Sequence, residues 1–124
     1  MRTTIANLRR AQEANLRLLA ATQPGGAAGA AVRAGLAETS RRVLAVTPVD
    51  TGSWRASHRV QQRGMSGSID IDPTARNARS GALVWRYVER LKRRGGRYDV
   101  YGSVARNDQA AIIEAMRRAF EDAI

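Results

Sequence analysis

The chain has no cysteine, one histidine and only 5% aromatic residues. Without cysteine there is no disulfide framework and no thiol chemistry. With His58 as the sole histidine, no His/Cys cluster at metal-ligand spacing can be assembled. Sparse aromatics leave the core to Ala, Val, Leu and Ile. No apolar run approaches the ~18–20 residues of a membrane span, and the first residues lack the apolar run of a signal peptide. The expectation is a soluble protein without a membrane partner, assembled in the cytoplasm. Lysine is nearly absent too: of 21 basic residues, Lys92 alone is a lysine.

What is present is positive charge, a net +10 over 124 residues. That surplus implies a polyanionic neighbour or acidic partner surfaces. Arginine suits forked contacts to phosphate and carboxylate. Codon bias in a GC-rich genome would explain Arg in place of Lys, but not the surplus itself. The length predicts one domain with a modest core. Residues 1–22 read as a first helix, either a core-packing helix or an arm for a partner, and 27–124 as an α+β core.

Thr3 or Thr4 is placed to cap the first helix, which runs to about Ala21. Ile5, Leu8, Gln12, Leu16 and Leu19 form its apolar stripe. Gln23-Pro24-Gly25-Gly26 breaks it. A second helix spans about Ala27 to Val46, with Ala28, Val32, Leu36, Thr39, Val43 and Val46 on one face. Glu38 and Arg42 make an i, i+4 pair on it.

Pro48 pushes Thr47 out of the helical region and ends this helix. Asp50-Thr51-Gly52 reads as a tight turn, with Gly52 either at positive φ or closely approached by backbone. Beyond it Trp54, Ala56, His58 and Val60 alternate with polar residues, which predicts a strand over 53–62. Arg63 to Gly67 is a turn and Ser68 to Asp72 a second strand, giving a hairpin. Pro73 to Ser80 reads as a loop, mobile until a partner holds it. A short helix is expected towards the end of 81–92, a loop at 93–96, and a last strand through Tyr98, Val100 and Val104. Asn107 or Asp108 caps a final helix whose stripe is Ile112, Met116, Ala119 and Ala123, flanked by Ile113 and Phe120. The predicted core comprises Val32, Leu36, Val43, Trp54, Ile69, Ile112, Met116 and Phe120.

An alanine-rich helix followed by Pro48-Val49-Asp50-Thr51-Gly52, Trp54, Arg55 and the small step Ala56-Ser57 resembles the tail-completion (neck) proteins of tailed bacteriophages. Tyr87-Val88-Glu89 would match the family's second element, and 107–124 its closing helix. The chain departs from the pattern in placing Arg90 to Arg94 where the family often has Gly. The resemblance implies an α+β fold with two N-terminal helices, a small, mostly antiparallel sheet and a C-terminal helix packed on it. It implies a virion protein that forms a homo-oligomeric ring, completing the tail or joining it to the head. Its partners would be other copies of itself, other neck, connector or tail-tube proteins, and as a further candidate the packaged DNA.

No residue pattern points to catalysis, a cofactor or a metal. His58 shares its predicted face with Trp54 and Val60 and reads as a packed histidine. Asp70 and Asp72 read as a solvated face. Ser53 and Ser57 lack a nucleophile elbow and an orienting carboxylate. Pro24-Gly25-Gly26 lacks the Gly-Lys-Ser/Thr end of a phosphate loop. The strongest charge feature is Arg86, Arg90, Lys92, Arg93, Arg94 and Arg97, interleaved with Trp85, Tyr87 and Tyr98. Such a segment can dock on an acidic subunit or hold a nucleic-acid backbone and stack bases. The alternative to a neck protein is therefore a small basic nucleic-acid-binding module.

Overall fold

A computed structural model describes residues 5–23, 25–49 and 51–124, without the side chains of 5–8 and 18. Six α-helices run in the order α1 (Ile5–Thr22), α2 (Ala27–Val46), α3 (Ser53–Ser57), α4 (Val84–Lys92), α5 (Val100–Asn107) and α6 (Gln109–Ala123). The strands β1 (His58–Arg63) and β2 (Ser66–Ile71) stand between α3 and α4. The fold is α+β, helix-rich, with a single antiparallel hairpin among the described residues.

The hairpin register runs from His58 opposite Ile71 to Arg63 opposite Ser66. That leaves Gly64-Met65 as a two-residue loop, shorter than the sequence suggested. Gly64 has φ 59° while Met65 stays negative. Positive φ at the first loop position alone is the mark of a type II′ turn, whose twist matches the strands. Arg59 clasps Asp70 across the pair, Nε to Oδ1 at 2.6 Å.

The structure corrects several expectations. Residues 53–57 form a helical turn, not the start of β1. Gly52 begins it, and its carbonyl accepts the Ala56 N–H. The burial of Trp54 and Ser57, with Ala56 exposed, follows the three-residue spacing of a helix. Tyr98, Val100 and Val104 likewise belong to a 3-10 turn (Gly96–Tyr98) and α5. Val100 and Val104, four apart, are both buried on one helix face. Short apolar spacings fit either period, and here packing chose the helix.

The core lies where Val43 of α2, Trp54 of α3, Val84 and Val88 of α4, and Val100 and Val104 of α5 meet. Of the predicted core only Val43 and Trp54 are fully buried; Val32, Leu36, Ile69, Ile112, Met116 and Phe120 are half-buried. The final helix takes its main place along α2, and α2 in turn lies on the hairpin. The buried residues of α2 are Ala27, Gly29, Ala31, Gly35 and Val43: Val43 lies on the apolar stripe read in the sequence, while Ala27, Ala31 and Gly35 lie one position aside from it. Small residues let the helices approach closely: a Cβ on Gly35 would stand 2.7 Å from Met116 Cγ. Asp108 stands at the start of α6 without a side-chain capping bond. Its carboxylate instead accepts from Arg42 at 2.9 Å, while Arg42 Nε donates to Glu38 at 2.7 Å.

α1 is not a core-packing helix over its described side chains. Leu16 and Leu19 are 65% and 60% exposed, and Ala21 alone is buried. The proposed caps Thr3 and Thr4, the Ile5 and Leu8 side chains, Pro24 and Asp50 lie outside the described residues.

Candidate functional site

Pro48 does what its ring requires. The preceding Thr47 is extended at φ −69°, ψ 123°, and its N–H closes the helix on the Val43 carbonyl. Gly52 then takes φ 81°, ψ −4°, the left-handed conformation that favours glycine. Between them Thr51 Oγ1 donates to Ser53 Oγ at 2.8 Å and accepts from Asn77 Nδ2 at 3.3 Å. Ser53 Oγ accepts the Ala78 N–H at 2.9 Å.

The 73–80 loop, expected to be mobile, is thus tied to the corner. Asn77 also folds the loop on itself: its Oδ1 accepts from the N–H groups of Arg79 and Ser80, and its carbonyl from Gly81. The Val84 N–H returns to the Ala75 carbonyl at 2.9 Å, so the loop delivers the chain into α4.

A cleft of about 480 Å³ opens where this corner faces α4 and the 3-10 turn. One wall is Pro48, Val49, Thr51, Gly52 and Trp54. The other is Tyr87 and Leu91, one helical turn apart on α4, with Tyr98 and Arg97. Asn77 closes one end. Arg97 Nη2 donates to the Tyr98 hydroxyl at 2.9 Å, and its guanidinium stands 4.9 Å from that ring's centroid. Arg97, and then Arg94, hold the Tyr98 hydroxyl below the ordinary tyrosine range. Arg97 thus brings positive charge to a cleft whose walls mix apolar and aromatic side chains with Thr51 and Asn77.

The predicted site residues divide accordingly. Pro48, Thr51, Gly52, Trp54 and Arg97 line the cleft; Arg55 is exposed on α3 outside it, and Asp50 is not described. Arg86, Arg90, Lys92, Arg93 and Arg94 are exposed, as is Arg97. Arg86 lies 5.4 Å from the ring centroid of Trp85, itself 41% exposed. Among the described residues none of these six cations forms an ion pair. Glu38, Asp70, Asp99, Asp108, Glu114 and Glu121 are all taken by other arginines. The surplus charge of the chain is uncompensated along α4 and the turn after it.

Sequence reasoning missed Val49 and Asn77 as cleft residues. Nothing in local pattern signals Val49, since an apolar residue after proline is ordinary. Asn77 did carry a signal: an Asn with Ser80-Gly81 just after it favours a side-chain-capped turn.

The described residues hold no cluster of three or more His, Asp or Glu fit to bind a metal ion. None of the described helices is long and apolar enough to cross a membrane. No family model matches the chain, and neither a curated protein nor a solved structure is found similar to it.

Proposed function

We propose that this chain is a structural protein of the phage neck, forming a ring that completes the tail or joins it to the head. It acts by shape and interface, with no catalytic residue. One observation carries the reading. The two stretches that resemble the neck family, Pro48 to Arg55 and Tyr87 to Glu89, lie about forty residues apart and share one cleft through Pro48, Gly52, Trp54 and Tyr87. From these stretches Trp54 and Val88 are buried in the core and Tyr87 packs against it, which leaves Pro48, Gly52 and one side of Tyr87 to the cleft. The exposed Leu16, Leu19, Val49 and Ile113, and a hairpin with no third strand among the described residues, are consistent with a subunit that buries more surface in an assembly.

The test is particle assembly. Without this chain, heads and tails should accumulate unjoined, and purified protein added back should restore joining, counted by electron microscopy. Normal particles formed without it would overturn the reading. Tight binding to free duplex DNA that falls steeply with salt would favour the nucleic-acid-binding module instead.

A further inference from the structure

We infer that the cleft beside Pro48 receives the acidic end of α6 from a second copy, so that copies join end to end. The inference rests on the ring-forming reading and names the partner of its cleft. Within one chain the two surfaces cannot meet. α6 runs antiparallel along α2: Asp108 is tied to Arg42, Met116 lies over Gly35, and Ala123 and Ile124 sit near Ala27. The cleft begins at Pro48, past the other end of α2. Twenty helical residues put about 30 Å between them.

Charge decides which exposed segment fits. Glu121 and Asp122 are exposed at the end of α6; Glu121 holds Arg117 of its own helix, whereas Asp122 has no ion-pair partner among the described residues. The helix C-terminus adds partial negative charge at the same place. Beside them Ile124 is 71% exposed, an apolar side chain suited to Val49 and Leu91. Arg97 lines the cleft and supplies the opposing charge, and Arg94, three residues before it, is exposed without an ion pair among the described residues. The other exposed apolar segment is α1, which meets α2 and the end of α6 through Arg17, Ala20 and Ala21. It exposes Leu16 and Leu19 but carries Arg9, Arg10 and Arg17 against Glu13 alone. Its surplus of positive charge would be repelled. A contact between two different patches repeats from copy to copy and closes into a ring when the rotation allows.

The experiment measures the mass of the whole, nuclease-treated protein against concentration by analytical ultracentrifugation. The samples are wild type, Glu121→Arg/Asp122→Arg, Arg94→Glu/Arg97→Glu, and an equal mixture of the two variants. Wild type should form oligomers. Each variant alone should need at least tenfold more protein to assemble, with its fold unchanged by circular dichroism. The mixture should assemble again, because each reversed α6 end meets a cleft of opposite sign. Monomeric wild type at every concentration, variants that assemble normally, or a mixture that stays dissociated would each overturn the inference. Oligomers that behave as expected yet fail to join heads to tails would sink the neck reading alone.

Discussion

His58 Nδ1 lies 2.7 Å from the Tyr101 hydroxyl, with the two rings edge to face at 5.4 Å. The other ring nitrogen, Nε2, is 2.9 Å from Thr47 Oγ1. Thr47 donates its own hydrogen to the Val43 carbonyl at 2.6 Å, so its oxygen accepts from the histidine. The network therefore places the His58 proton on Nε2 and leaves Nδ1 to accept from Tyr101. Three elements, the end of α2, the start of β1 and α5, are joined through one half-buried ring.

This network makes stability depend on pH at both ends. Burial lowers the His58 pKa below its usual value, so the unfolded chain takes up the proton first. The stabilisation is complete above about pH 6.5 and is lost as pH falls through the lower folded value. Burial also pushes the Tyr101 hydroxyl up to about 12, with Asp70 adding to it. That contribution is complete below about pH 10 and is lost as pH rises towards 12. Urea unfolding across pH should show both losses. Tyr101→Phe should remove the alkaline one and cost about 1 kcal/mol near neutrality, by leaving Nδ1 without its donor. An unchanged alkaline limb in that variant would show that Tyr101 does not set it.

Gly52 gives a cleaner backbone test. At φ 81° it sits where side chains are strained, yet a Cβ there would meet nothing within 4 Å. Any cost of substitution is therefore conformational and not steric crowding. Gly52→Val should destabilise by about 1–3 kcal/mol, and Gly52→Asn by less, because Asn tolerates this region. Equal thermal unfolding of all three proteins would contradict the turn geometry.

That turn was legible because proline and glycine act locally: Pro48 and Gly52 dictate their own backbone. The bounds of α2 were legible for a similar reason, with breakers at both ends. The stretches 53–57 and 98–104 were misread because five to seven residues give too few repeats to separate period two from a helix. Over 27–35 the buried line of α2 was displaced because alanine and glycine carry little hydrophobic signal, yet only a glycine at 35 leaves room for Met116, whereas Val43 was read in its place. For the cleft, its exposed cations were legible as charge. Their meeting with the Pro48 corner was not, since it depends on the route of the 73–80 loop, set by Asn77 and Ser53.

The placement of the core reverses an expectation about Phe120. A covered Phe would cost roughly 3–5 kcal/mol on truncation. Phe120 is only half-buried, whereas Val84 is wholly buried among α4 and its neighbours. Val84→Ala removes two methyl groups' worth of burial and should cost about 2 kcal/mol. Phe120→Ala should cost about as much or less in the isolated chain, despite the larger truncation. Chemical denaturation of the two variants at low protein concentration compares them directly. A loss above 3 kcal/mol for Phe120→Ala would mean that α6 is covered more deeply than the structure places it.

The last prediction concerns Arg93 and Arg94, which follow α4 directly and are exposed without a carboxylate partner among the described residues. Their charge contributes nothing to core packing, and exposed like charges so close repel one another. Reversing both to Glu should leave the helices intact by circular dichroism, with only a small change in unfolding, since Glu at a helix C-terminus opposes the dipole modestly. Function should respond very differently. If an acidic neighbour or the genome is held here, the reversed segment repels it, and heads and tails should fail to join in the presence of a folded variant. Raising salt should weaken joining by wild type in parallel, because exposed charges more than about 10 Å apart are screened at 0.1 M. Normal joining by the folded double variant would show that these two arginines take no part in the contact.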